Sequence, residues 1–303
     1  MGLLKRSEPP LYDEHMTYFT VAQADELRRL VARSFAAAGR DVDVHQDRIE
    51  DRGGTTLGLW NIGALCAGTE ASEWPQLIDD HVRLVATPAR ELTDVTEDEL
   101  EQRLYLRLVE ATYVADPDAL GYARVVAPGL LEVLSVDLGE ALATPTREEL
   151  IARGTIGGLV ELGRHNLKAL LADDAVQAET VGTAGRGTFI AVRGESPFTA
   201  SLALVLQETI ARFSGDDDWG RGVLVAVPSR QELLYRAIDA SDAQLALKEM
   251  LRAAVLRFHG DVGRLSPDVF WVRKQKWAQV TSSTGGKPRV VRGTGLREVF
   301  AGL

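Results

Sequence analysis

Cysteine is nearly absent from this chain, which has a single one, Cys66, in 303 residues. One cysteine excludes an intrachain disulfide and any zinc site that needs several thiolates. The neighbours of Cys66 in the segment GALCAG are small or apolar, and no nearby cation is present to stabilise a thiolate. The pattern therefore predicts a small buried side chain rather than a nucleophile.

Long apolar runs are also missing. No run of about eighteen apolar residues occurs, so the sequence predicts no membrane-spanning helix. The N-terminal residues MGLLKRSEPP lack the apolar core of a secretory signal, and Arg6 stands where a myristoylation signal has Ser or Thr. We therefore expect a cytoplasmic protein with no membrane partner.

The common catalytic and cofactor motifs are missing as well. The segment GTAGRG at 182–187 lacks the GK[ST] ending of a phosphate loop and precedes a predicted strand, which favours a hairpin turn. Ser196 and Ser229 are not in GxSxG and are better explained as helix caps. The histidines have no metal-ligand spacing and are scattered along the chain at His15, His45, His81, His165 and His259. We predict no catalytic residue, cofactor or metal ligand.

The composition is that of a globular protein with an uneven charge distribution. Hydrophobic residues make up 45% of the chain, which is enough to build a full core without disulfides. The net charge of −10 argues against a surface that binds nucleic acid throughout. From Asp268 onward the only acidic residues are Asp268 and Glu298, whereas the basic ones are Arg273, Lys274, Lys276, Lys287, Arg289, Arg292 and Arg297. The C-terminal segment from Asp268 onward is therefore basic, whereas the rest of the chain is acidic.

The first part of the chain reads as helix, short antiparallel strands and helix. Thr20 and Gln23 form a capping box at the start of the first helix, which ends near Gly39. Short strands follow, with a turn at Gly53-Gly54, and a second helix is predicted over 74–85.

Capped helices and direct hairpins alternate in the middle of the chain. Period-two alternation predicts a strand over 103–113, and Pro128-Gly129 closes a hairpin between two apolar strands. Thr146 starts a long helix that reaches about Leu171, with a break expected near Gly154 to Gly158 because glycine weakens helices. The segments 175–180 and 188–193 are then predicted to pair.

The stretch Thr188 to Arg236 carries the clearest succession of signals. Ser196-Pro197 predicts the start of a helix whose apolar residues recur at helical spacing up to Phe213. Val223 to Val227 is an unbroken apolar run of strand length, which predicts a strand covered on both faces. Ser229 and Glu232 then predict a short capped helix.

Further elements complete an α+β fold. A helix is predicted to begin at Ser241 and end at Gly260, followed by a hairpin of 270–272 with 277–281. The direct hairpins favour mainly antiparallel or mixed sheets flanked by helices over a doubly wound parallel sheet. We divide the chain into an N-terminal arm (1–19), a small α+β subdomain (20–92), a main α+β domain (93–281) and a basic C-terminal extension (282–303).

The order of several short motifs resembles the uncharacterised bacterial YtpQ-like family, a domain of unknown function. The resemblance covers about residues 20–281 and rests on short segments: RLY at 103–105, VDLG at 136–139, NLK at 166–168, FTAS at 198–201, VPS at 227–229 and FWV at 270–272. It implies the order of the fold elements. The family has no established activity or catalytic residues that could be carried over, and the resemblance does not extend to the arm or to the basic extension.

Two regions of the sequence contain the candidate binding residues. The first is the acidic turn, which consists of Asp216, Asp217, Asp218 and Trp219. It lacks the twelve-residue loop of a calcium-binding hand, so a solvated turn is the simpler interpretation. The second region interleaves aromatic and cationic side chains, which could stack bases and neutralise phosphates; it consists of Trp271, Arg273, Lys274, Lys276 and Trp277. In a hairpin, Trp271 and Arg273 would share one face, with Lys274 and Lys276 on the other.

The leading hypothesis is a non-enzymatic module that binds a protein partner, as a chaperone-like, adaptor or immunity-type protein, because hairpin edge strands offer a place for another strand. An alternative is an enzyme for a small metabolite with a site assembled from Asp137, Arg193 and Glu195, each near a strand end. A further alternative is nucleic-acid contact through the basic tail.

Overall fold

The computed structural model describes most of the chain. The residues described are 11–16, 18–51, 56–86, 92–113, 120–139, 141–183, 187–215, 220–238, 243–283, 288–291 and 295–301. The chain divides into two compact units, residues 1–89 and residues 90–303. Each unit has its own buried core.

The first unit combines helices with a small antiparallel sheet. Its elements are α1 Val21–Ala37, β1 Val42–Val44, β2 Arg48–Asp51, β3 Thr56–Gly58, α2 Trp60–Ala67 and α3 Trp74–Ala86. The strands follow the order β1-β2-β3. The predicted capping box is confirmed, since Thr20 Oγ1 accepts the Gln23 N–H at 3.3 Å and the Gln23 side chain accepts the Thr20 N–H at 3.0 Å. The predicted Gly53-Gly54 turn lies outside the described residues.

Helix α2 is an element that the sequence analysis missed. It contains Cys66, whose side chain is fully buried and whose carbonyl accepts the Trp74 Nε1–H at 2.9 Å. The predicted small buried side chain is confirmed. The apolar residues of this short helix are distributed around several of its sides. Its sequence therefore shows no clear helical period, and periodicity could not reveal the helix. Leu27 of α1 and Ile78 of α3 pack into the same core.

The second unit contains the larger set of elements. Its α-helices are α4 Glu97–Arg103, α5 Arg147–Ile151, α6 Ile156–Ala169, α7 Leu206–Ser214, α8 Ala243–Gly260 and α9 Leu296–Ala301. Its strands are β4 Leu104–Glu110, β5 Arg124–Ala127, β6 Leu130–Asp137, β7 Leu142–Ala143, β8 Gln177–Val181, β9 Phe189–Arg193, β10 Val223–Ser229, β11 Glu232–Ala237, β12 Val269–Arg273, β13 Lys276–Gln279, β14 Thr281–Ser282 and β15 Arg289–Val290. Short 3₁₀ segments occur at Leu92–Asp94, Ala111–Tyr113, Leu170–Ala172 and Thr199–Val205.

The strands of the second unit form antiparallel sheets. The larger sheet has six strands in the order β13-β12-β10-β11-β9-β8. In the four-stranded sheet β6 pairs with β4, β5 and β7, and β14 pairs with β15 in a separate ribbon. The predicted α+β fold is confirmed, because helices flank sheets built from direct hairpins.

Strand β10 lies at the centre of this core, and all seven of its residues are buried. Val223, Val225 and Val227 share one buried cluster with the four-stranded sheet and the 3₁₀ segment Thr199–Val205. Leu224 and Ala226 belong to a second cluster that includes α8. The prediction of a strand covered on both faces is confirmed.

The prediction of a short helix directly after β10 in the sequence is wrong. Residues 232–237 form the strand β11, which pairs with both β10 and β9. Leu233 and Tyr235 join the cluster of the four-stranded sheet, while Leu234 joins the α8 cluster, so tertiary burial of both faces overrides the local capping signal. The Ser229 hydroxyl donates to Asp261 Oδ2 at 3.4 Å instead of capping a helix.

The helix predicted from Ser196 begins later and in two parts. The 3₁₀ segment Thr199–Val205 comes first, with most of its side chains buried, and α7 follows it. Ser196 Oγ accepts the Phe198 N–H at 3.2 Å as part of a turn, not as the cap of α7. The hydroxyl of Thr209 donates to the carbonyls of Leu202 and Val205 at 3.0 Å each. These contacts join the two parts at a bend that apolar spacing alone does not reveal.

The break predicted in the long helix is confirmed. Helix α5 ends at Ile151 and α6 begins at Ile156, so the gap falls at the start of the glycine-rich segment. Gly163 remains inside α6, where the helix approaches β4 closely. A Cβ on Gly163 would lie 2.9 Å from the Leu106 nitrogen, so only glycine fits without a shift.

Candidate functional site

The acidic turn of Asp216, Asp217, Asp218 and Trp219 lies outside the described residues. The chain reaches it through Gly215, which ends α7 in the left-handed conformation with φ +66. Gly222 follows the turn at φ +97, and a Cβ there would lie 2.3 Å from Trp271 Nε1. Both flanking glycines are therefore required by the backbone.

The basic and aromatic segment is divided between the two faces of the six-stranded sheet. Trp271 packs on the α8 face, and its Nε1–H donates to the Arg221 carbonyl at 3.0 Å. Trp277 packs on the opposite face, with its ring 5.7 Å from that of Phe270. The two indoles therefore do not form one stacking platform, and each contributes to folding.

The predicted distribution of the cations over the hairpin is wrong for two residues. Lys274 lies in the two-residue turn with φ 50, not on a strand face. Arg273 and Lys276 are directly opposite each other, so they share a face. Arg273 Nε also donates to the Gly220 carbonyl at 3.2 Å. Lys274 and Gln275 form the turn between β12 and β13. Residues 273 and 276 therefore pair across the hairpin, and the side chains do not alternate between faces continuously through residues 273–276.

The three residues of the enzyme hypothesis have separate partners. Asp137 Oδ1 accepts the Gly139 N–H at 2.8 Å at the end of β6. Arg193 lies at the end of β9 in the other large sheet and pairs with Glu232. Within the described parts of the chain, no hydrogen bond or ion pair joins any two of Asp137, Arg193 and Glu195. The described contacts of Asp137, Arg193 and Glu195 therefore add no support to the enzyme hypothesis.

An ion-pair network, which the sequence analysis missed, is centred on the buried carboxylate of Glu232. The Glu232 side chain is 4% exposed; its Oε1 accepts from Arg193 Nε at 2.6 Å, and its Oε2 lies 3.7 Å from Arg257 Nε. Arg193 also pairs with Glu179 of β8. Burial lowers the pKa of Arg193, but the hydrogen bonds and charges of Glu232 and Glu179 outweigh it and raise the pKa overall. The network ties β8, β9, β11 and α8 together.

A concave site lies where β4, β6 and β12 meet their loops. We call it the sheet-end cavity; it has a volume of about 400 Å³, and its polar lining includes Glu110, Ser266, Asp268, Gln279 and Ser283. Pro128, Gly129, Phe258 and Pro267 provide less polar walls. Its size is in the range of small-molecule sites.

Asp268 forms the buried floor of the sheet-end cavity, with 8% of its surface exposed. Its Oδ1 accepts the Ser283 N–H at 2.8 Å, and its Oδ2 accepts from Gln279 Nε2 at 2.7 Å. The Asp268 N–H in turn donates to Ser266 Oγ at 3.2 Å. These bonds hold the carboxylate in one orientation.

A shallower site lies in the first unit beside α1 and the β1–β2 turn. Arg28 occupies it, pairing with Asp13 at 2.9 Å and donating to the Gln46 carbonyl at 2.8 Å. Burial raises the pKa of Asp13, but the Met16 and His15 N–H groups and Arg28 lower it further, so the pKa falls below its usual value. Arg28 and Asp13 satisfy each other in this site, which favours a role in folding.

Strand β8 is at one edge of the six-stranded sheet, and no strand among the described residues pairs with its outer side. Gln177, Ala178, Glu179 and Thr180 are exposed on both faces of the strand. The edge of β4 differs, because the Leu108 N–H donates to the buried Ser201 hydroxyl at 3.0 Å. An open strand edge presents backbone donors and acceptors to a partner.

The comparisons with known proteins add no relative. Neither protein-family models, nor curated proteins, nor solved structures give a match to this chain. Across the described residues, no helix has the length and apolar character needed to cross a bilayer. The same residues contain no group of three or more His, Cys, Asp or Glu side chains that could hold a metal ion.

Proposed function

We propose that this chain is a cytoplasmic protein-interaction module that binds an extended segment of a partner along β8. The observation that carries the proposal is the exposed edge strand β8 of a sheet whose central strand β10 is fully buried. Strand addition to such an edge gives affinity through main-chain hydrogen bonds. The single cysteine of the chain agrees with a reducing compartment.

The charge around β8 defines the chemistry of the partner. Residues 172–183 contain Asp173, Asp174 and Glu179 and no Lys or Arg. All three acidic residues are exposed, and within the described part of the chain Glu179 is the one that pairs with a cation, Arg193. The excess of negative charge favours a partner strand that carries Lys or Arg. The resemblance to the YtpQ-like family brings no activity to this proposal, which rests on the geometry of β8.

The strand edge is firmly positioned for such an addition. Arg193 links Glu179 of β8 to the buried Glu232 of β11, so the edge strand is anchored to the centre of the sheet. At the β8–β9 connection, a Cβ on Gly187 would lie 2.4 Å from the Ala246 nitrogen of α8. A fixed edge loses little conformational entropy when a partner strand binds.

Titration of the labelled full chain with a designed peptide tests the proposal. The probe is a seven-residue peptide of alternating valine and lysine, and its control has glutamate in place of lysine. We expect saturable shifts of the Gln177 to Val181 amide resonances with the lysine peptide, at an affinity at least about tenfold higher than with the glutamate peptide. Unchanged β8 resonances with both peptides, or equal affinity for both, would refute the proposal.

Two neighbouring proline variants give a matched control. Adjacent residues of an edge strand direct their N–H groups in opposite directions, so Gln177→Pro and Ala178→Pro remove donors on opposite sides of β8 without changing its charge. The variant that loses the outward donor should fold normally and bind the lysine peptide at least about tenfold more weakly. The other variant should loosen the β8–β9 pairing. Full peptide binding in both variants would contradict strand addition.

A further inference from the structure

The sheet-end cavity contains two carboxylates and no cation in its described lining. Both residues line the cavity: Glu110, the last residue of β4, is partly buried, and Asp268 is buried. Among the described residues, neither carboxylate has a Lys or Arg nitrogen within 4.0 Å, the distance limit for an ion pair. A carboxylate removed from water is costly unless a positive group or several hydrogen bonds compensate it.

The hydrogen bonds of Asp268 leave part of its acceptor capacity unused. The two oxygens of a carboxylate accept about four hydrogen bonds, and the described partners of Asp268 are the Ser283 N–H and the Gln279 side-chain amide. The Oγ of Ser283, on the same wall, is buried and has no hydrogen-bond partner among the described residues. The cavity therefore offers fixed acceptors that a donor group from a ligand would satisfy.

The shape and composition of the cavity favour an organic cation over a metal ion. The described lining has two carboxylates, whereas hard metal ions take about six or more oxygen ligands. Phe258 and Pro267 add apolar walls that suit the carbon frame of a small molecule. The guanidinium of Arg264 lies 5.4 Å from the centroid of the Phe258 ring.

We propose that the sheet-end cavity binds a small molecule that carries a primary ammonium group. The ammonium has three N–H donors, which suit the carboxylates of Glu110 and Asp268 and a nearby hydroxyl. The carbon frame of the molecule lies against Phe258. This site is distinct from β8, so its test and that of partner binding have separate outcomes.

Paired probes that differ in the ammonium group test the proposal on the full chain. Putrescine and glucosamine are compared with 1,4-butanediol and glucose, which replace the amines with hydroxyls. Titrations follow the backbone resonances of Ser266 and Asp268 and the side-chain amide of Gln279. We expect saturable shifts with at least one amine at concentrations up to about 10 mM, and at least about tenfold weaker binding of its hydroxyl counterpart.

Carboxylate variants show whether the charge of the cavity causes the binding. Glu110→Gln keeps the shape of the side chain and should weaken amine binding about tenfold, whereas Glu161→Gln on the exposed face of α6 should not change it. Asp268→Asn provides a second variant if Glu110→Gln disturbs folding. Three results would overturn the proposal: no saturable shift with either amine, equal shifts with the hydroxyl compounds, or displacement of the amine by millimolar Mg²⁺ or Ca²⁺.

Discussion

Cys66 shows how burial decides the chemistry of a single side chain. The thiol is fully buried in α2, and burial raises its pKa to about 11. The thiolate is the reactive form of cysteine, and burial in apolar surroundings disfavours it. Because the chain has no second cysteine, any reaction with a thiol reagent reports on this one position.

We predict that Cys66 reacts with an aromatic disulfide reagent at pH 8 at least about a hundredfold more slowly in the folded chain than in urea. At that pH roughly one thiol in a thousand is ionised when the pKa is about 11, against about a quarter for an ordinary cysteine. The release of the coloured thiol measures both rates, and glutathione corrects for the effect of urea on the reagent. Similar rates in the two states would show that Cys66 is accessible.

Helix α6 contains glycines in two different environments, and the structure separates their effects. Gly157 lies near the start of the helix, and a Cβ there would meet no atom within 4 Å. Gly163 faces the four-stranded sheet, where a Cβ would lie 2.9 Å from the Leu106 nitrogen and 3.0 Å from Leu134 Cδ2. Both are weak helix formers, but only Gly163 permits the close packing of α6 on β4.

We predict opposite effects for the same substitution at these two positions. Gly157→Ala should raise the free energy of unfolding by up to about 1 kcal/mol, because alanine has the higher helix propensity. Gly163→Ala should lower it by about 1 to 3 kcal/mol, since the added methyl group displaces the β4 backbone. Urea unfolding followed by circular dichroism measures both. A stabilising Gly163→Ala would mean that α6 can move away from the sheet at no cost.

The elements that sequence reasoning predicted are those with a local cause. Thr20 and Thr146 form capping boxes, and β10 is a continuous apolar strand. The helix predicted at residues 232–237 rested on a local capping signal. Pairing with β9 and β10 overrides that signal, and the segment forms a strand. Local signals cannot report which distant strands a segment will join.

The candidate sites were harder to predict, for the same reason. Glu110 and Asp268 are far apart in the sequence, and neither has a motif around it. They line one cavity only because the end of β4 and the start of β12 come together in the second unit. The interleaved Trp271 and Trp277 did give a sequence signal, but the strand pairing directs the two indoles to opposite faces.

On the scale of the whole molecule, two compact units each have a complete core. The first unit buries the inner faces of α1, α2 and α3, and the second buries both faces of the inner strands of its six-stranded sheet. The second unit is the larger, and larger domains bury a greater fraction of the surface exposed on unfolding. It should therefore be able to fold without the first unit.

We predict that a fragment of residues 90–303 folds alone, with a dispersed amide spectrum that matches its resonances in the full chain. A fragment of residues 104–303 is the control. It lacks Leu92 and Val95, whose carbonyls each accept from Arg153 Nη2 at 2.7 Å, and Glu97, which pairs with Arg153 at 2.6 Å. The Arg153 side chain is mostly buried, and the shorter fragment loses its partners together with the buried side chains of Leu92 and Val95, so it should unfold at least about 2 kcal/mol more easily in urea. A collapsed spectrum for residues 90–303 would show instead that the second unit depends on the first for its fold.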